Sequence, residues 1–81
     1  MTRSANFPDG HSIVAFGQEW YFSPQALGAL ETRGPITEST LRNCVLYLLQ
    51  LGDPLGGFFE VDYYGVPLMG NRVDGVIRID L

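Results

Sequence analysis

Lysine is missing from this sequence: all five basic residues are arginines, Arg3, Arg33, Arg42, Arg72 and Arg78. A GC-rich coding sequence accounts for that bias without any selection for guanidinium chemistry. Nine acidic residues outnumber the arginines and leave a net charge of -4. A chain of that sign is not built to wrap a phosphate backbone, so a nucleic-acid partner is not expected. Cysteine occurs once, as Cys44, which excludes an internal disulfide and a cysteine-based metal site. Histidine also occurs once, as His11, without the surrounding ligand pattern of a zinc site. The longest nearly apolar run, residues 44–51, is far short of the roughly twenty residues of a membrane span. No apolar leader, lipidation motif, internal repeat or low-complexity tract is visible. The expectation is therefore a cytoplasmic protein with no membrane contact, no cofactor and no metal.

What is present is apolar. Hydrophobic residues make up 46% of the 81 positions and charged residues only 17%, which is too much core material for a disordered chain. The length admits a single domain, 1–81.

The local pattern alternates between strand and helix signals. Phe7-Pro8-Asp9-Gly10 reads as a turn. Residues 12–16 and 19–22 are β-branched and aromatic, and Gly17-Gln18 between them suits a type II′ hairpin. That register pairs Ala15 with Trp20, Ile13 with Phe22 and Val14 with Tyr21. Ser23-Pro24 reads as an N-cap followed by proline in the first helical turn, opening a short helix over 25–31. A longer helix is expected over 37–51, capped by Thr37 or Ser39, with Leu41, Cys44, Val45, Leu48 and Leu49 as its core stripe. Gly52-Asp53-Pro54 stops it. Residues 58–64 and 76–81 alternate as strands, with Gly70-Asn71 turning between them and Gly65 as a bulge. Phe59, Val61 and Tyr63 would then face Leu81, Ile79 and Ile77, and Asp62 would face Arg78. Pro67 would mark an edge. The fold class is thus α+β: a small two-layer domain, with a four-stranded, mainly antiparallel sheet and two helices on one face, in the order ββααββ.

No motif specifies an activity. The glycine-rich stretch 52–57 lacks the lysine and hydroxyl residue of a phosphate-binding loop and precedes a strand, so it reads as a connection. Cys44 sits mid-helix on the apolar stripe, where a thiol is a core residue rather than a nucleophile. The aromatic surplus carries the most information, because a two-layer fold this small buries one sheet face and not both. The leading expectation is a small acidic protein-binding module, acting stoichiometrically as an inhibitor or adaptor. Phage-type inhibitors of bacterial defence systems are often lone acidic domains of this kind. Tyr21, Leu46, Tyr47 and Tyr64 are the candidate apolar contacts. Tyr21, Leu46 and Tyr47 also serve an expected homodimer. Glu60, Asp62, Asp74 and Asp80 are expected to form an acidic rim that steers a basic protein partner. The competing class is a small enzyme or enzyme subunit that uses carboxylates with His11 or Cys44.

Overall fold

The structure is a computed structural model that describes residues 4–51 and 56–81. Among these residues the chain runs β1 (His11–Ala15), β2 (Gln18–Phe22), α1 (Pro24–Glu31), α2 (Glu38–Leu51), β3 (Phe59–Tyr63), β4 (Val66–Val73) and β5 (Val76–Asp80). The strands form one sheet in the order β1-β2-β5-β4-β3. Neighbours are antiparallel except β2 and β5, which run parallel. The domain is α+β with two helices, as expected. The sheet, however, has five strands rather than four, is mixed, and follows the order ββααβββ. Parallel neighbours need a long crossover, and the excursion through both helices and the β3–β4 hairpin supplies one.

The extra strand traces to the turns. Phe16-Gly17, Tyr64-Gly65 and Asp74-Gly75 all have positive φ, at 54° and 76°, 49° and 87°, and 52° and 80°. Two consecutive residues at positive φ are the signature of the type I′ hairpin, whose twist matches that of the flanking strands. The first hairpin therefore turns at Phe16-Gly17, not Gly17-Gln18. Its pairs are Ile13 with Trp20, Val14 with Glu19 and Ala15 with Gln18. The slip is two residues, so every side chain keeps its face.

In the C-terminal third the direct pairing of 58–64 with 76–81 does not occur. Tyr64-Gly65 turns the chain into β4, Gly70-Asn71 lie inside that strand, and Asp74-Gly75 leads into β5. Phe59, Val61 and Tyr63 face Gly70, Leu68 and Val66, while Asp62 faces Pro67 rather than Arg78. Gly65 is a turn residue and not a bulge. Pro67 sits on an interior strand, and its missing N–H explains how. The residues flanking the turn bond across the hairpin, so the next residue's nitrogen points to the other side. There the β5 ladder ends at Asp80, opposite Met69, and Pro67 has no bond to lose.

The inner face of the sheet carries the large buried side chains Trp20, Phe22, Leu68, Ile77 and Ile79. Both helices pack on it through Leu27, Leu30, Leu41, Val45 and Leu48. With 14 residues, α2 is about 21 Å long, enough to cross the roughly 19 Å width of five strands. It accordingly touches both edge strands, β1 and β3, while α1 lies against β4 and β5. Buried Trp20 satisfies its indole N–H at the Ala15 carbonyl, 2.9 Å away.

Caps hold the helix starts. Ser23 Oγ accepts from the Ala26 N–H at 3.0 Å. Thr37 Oγ1 accepts from the Thr40 N–H at 3.1 Å, and Thr40 Oγ1 accepts in return from the Thr37 N–H at 2.8 Å. This reciprocal pair is a capping box with threonine in the place of glutamate. The expected stop at Gly52-Asp53-Pro54, like most of the glycine-rich stretch, lies outside the described residues.

Candidate functional site: a tyrosine cluster and an open sheet face

The helices cover one face of the sheet and leave the other open. Strand register places Val14, Glu19, Val76 and Val73 in one row across it, and Ser12, Tyr21, Arg78 and Asn71 in the next. Asp80, Met69 and Glu60 form a third row, and Pro67 and Asp62 a fourth. Tyr21 is half-buried here. The Arg78 guanidinium lies 4.9 Å from its ring centre, and its hydroxyl donates to the Asp9 carbonyl at 2.9 Å.

The expected acidic rim is distributed unevenly. Glu60 and Asp62 are exposed on the open face and border a shallow groove with Pro67 and Met69. Their cross-strand neighbours, Met69 and Pro67, offer no charge in return. Asp80 is engaged elsewhere: it accepts from Ser23 Oγ at 2.7 Å and from the Leu81 N–H at 2.8 Å, tying the end of β5 to the start of α1. Asp74 occupies the β4–β5 turn, at the opposite end of the sheet from Tyr64.

Tyr47 and Tyr64 are distant in sequence, and the fold brings them together. The Tyr47 ring lies 5.3 Å from that of Tyr64 and 5.0 Å from that of Tyr63, and the Tyr63 and Tyr64 rings are 4.9 Å apart. Separations and tilts of this kind are favourable aromatic pairings. The Tyr47 hydroxyl donates to the Asp62 carbonyl at 3.4 Å. Burial raises the Tyr63 phenol above its ordinary value. Tyr64 remains 66% exposed and Leu46, the next residue along α2 from Val45, 42%. Tyr63, the third ring, was missing from the residues expected at the site. So was Phe16, which is 50% exposed at the tip of the first hairpin under the Arg42 guanidinium. The readable signal for both turns was an aromatic residue directly before glycine.

A separate cleft of about 210 Å³ opens between the α1–α2 connection, α2 and Tyr63, lined mainly by Leu30, Ile36, Leu41 and Cys44. Arg33 is the single charged residue among those that line it. Burial pushes the Cys44 thiol up to about 12, so at neutral pH it is protonated and a poor nucleophile. His11 is not in this cleft; it lies at the start of β1 with its ring 5.3 Å from that of Phe7. Among the described residues no group of three or more His, Cys, Asp or Glu side chains is placed to hold a metal ion, and no helix is long and apolar enough to cross a membrane. Comparison with protein-family models, curated proteins and solved structures finds no match.

Proposed function

We propose that this chain is a stoichiometric protein-binding module, an inhibitor or adaptor, whose anchor is the Tyr47–Tyr64 patch and whose steering charges are Glu60 and Asp62. One observation carries the reading: Tyr64 is a largely exposed aromatic held at φ 49°. At that turn position asparagine or aspartate costs less. Unfavourable backbone conformations cluster at functional sites, held there by the surrounding structure, here by the Tyr47 and Tyr63 rings. Exposed tyrosines are a preferred anchor of protein interfaces. Asp62 adjoins the patch through its backbone carbonyl, which accepts from the Tyr47 hydroxyl. Glu60 shares the open face of the same strand, and the uncompensated charge of the two suits a basic partner. A cytoplasmic location belongs to this reading and accords with the free thiol of Cys44. A phage-type inhibitor of a bacterial defence system is one role it allows.

The test begins with affinity purification from the native host, followed by surface-plasmon kinetics on the partner recovered. Tyr64→Asn keeps the turn and removes the ring, so dissociation should quicken roughly tenfold or more while association is unchanged. The double change Glu60→Gln and Asp62→Asn should slow association at low salt and matter little at high salt. Wild-type kinetics in both variants would reject the site.

A further inference from the structure

The two edges of the sheet, β1 and β3, are protected unequally. In a two-residue hairpin the residues flanking the turn exchange both backbone bonds, and bonded and non-bonded pairs alternate from there. Ala15, Ile13 and His11 therefore bond to β2, and the N–H and C=O groups of Ser12 and Val14 point away from the sheet. On β3 the same alternation turns those of Glu60 and Asp62 outward. The β3 edge is guarded, because both outward residues are charged and the Tyr47 hydroxyl occupies the Asp62 carbonyl. β1, with the sequence HSIVA, has no acid, arginine or proline. Among the described residues no other backbone group bonds to its outer edge. Val14 there is 71% exposed, more than any other large apolar side chain described.

We infer that β1 is a self-association edge whose occupant is the β1 strand of a second copy, antiparallel about a twofold axis at Ile13. Charge selects this edge. Two copies of a chain with net charge -4 repel, and like charges facing each other across strands are destabilising. Pairing two β3 edges would bring four carboxylates together, whereas two β1 edges meet with none. The register is self-complementary. With Ile13 opposite the partner's Ile13, Ser12 lies opposite the partner's Val14 and Val14 opposite the partner's Ser12. Both pairs exchange N–H and C=O bonds, so all the outward backbone groups of Ser12 and Val14 are satisfied. The two sheets become one, and the identical patch serves both copies, as a twofold interface requires. An edge this short buries less than the roughly 1,200 Å² of a stable complex, which makes the dimer weak and concentration-dependent. The contact leaves Tyr21, Leu46 and Tyr47 out, unlike the homodimer expected from sequence. It is also separate from the Tyr64 patch, so it stands or falls independently of the partner reading.

Sedimentation velocity from low to several hundred micromolar decides the point. The wild-type mass should rise with concentration from 9.0 kDa towards twice that value. Val14→Pro removes an N–H that the monomer does not use and should stay monomeric throughout, with an unchanged far-ultraviolet spectrum. Val14→Lys places a charge beside Glu19, its cross-strand neighbour, and should fold equally well and also stay monomeric. It decides the matter if the proline variant fails to fold. A wild-type protein that remains monomeric at the highest concentration overturns the inference. So does dimerisation of a folded Val14 variant at wild-type strength.

Discussion

A phenylalanine at φ 54° and a tyrosine at φ 49° occupy hairpin positions that asparagine, aspartate or glycine normally fill. The third such turn uses Asp74-Gly75, so the architecture itself makes no demand for an aromatic ring. The left-handed conformation costs an L-residue about 1–2 kcal/mol, and asparagine tolerates it. Phe16→Asn forfeits an exposed attraction to Arg42 worth about 0.5–1 kcal/mol. The variant should still be more stable, by about 0.5 kcal/mol, with a higher urea midpoint and an unchanged m-value. A lower midpoint would mean that the ring packs more tightly than its exposure indicates. Cys44 makes a second prediction at this scale. Below its ordinary value of 9.0 the thiol is protonated in both folded and unfolded chains. Between 9.0 and about 12 the unfolded chain loses the proton that burial retains in the fold. The unfolded state then binds fewer protons, so stability falls as pH rises through that window. Urea denaturation of Cys44→Ala over the same range should show a flatter decline than the wild type; parallel curves would contradict the assignment.

At the scale of elements, the central strands are fitted around a glycine. Gly70 lies on the inner face of β4, between Phe59 on β3 and Ile79 on β5. A methyl group there would meet the Arg78 backbone carbonyl and come within 2.7 Å of Phe59 Cζ. The ring thus covers a strand glycine, an arrangement that compensates for its missing side chain. Because a backbone carbonyl is one of the obstacles, rotation of Phe59 alone cannot make room. Gly70→Ala should cost about 1–3 kcal/mol, the usual range for overpacking, measured as a lowered midpoint in chemical denaturation. A neutral result would show that the β4–β5 spacing is more yielding than its register implies. Ser23 acts at the same scale, capping α1 with one hydroxyl while donating to Asp80 on β5. Sequence marked the cap, but its link to Asp80 depends on β5 lying beside β2.

For the whole molecule, local periodicity determined a good deal. Helical spacing marked both helices and the stripe Leu41, Cys44, Val45, Leu48 and Leu49, of which the first four are buried and Leu49 packs half-buried against the core. Two-residue alternation put Ile13, Trp20 and Phe22 on one side of the first hairpin, and Ile77 and Ile79 on one side of the last strand. The first grouping survived an incorrect hairpin register because the slip was even, and only the β2–β5 pairing joins the two groups on one face. These properties belong to a residue and its near neighbours, so they are written in the chain directly. Which strand pairs with which is a different kind of question. Gly70-Asn71 and Asp74-Gly75 are both good turn signals, and only the packing of Phe59 over Gly70 and the β4–β5 ladder decide that the second one turns. The parallel contact of β2 with β5 joins residues more than fifty positions apart, as Trp20 with Ile77. The meeting of Tyr47 with Tyr64 and the open edge of β1 follow from that topology. Such pairings are settled by the burial of both helices on one sheet face after a long loop closes, a free energy that no short window of sequence contains.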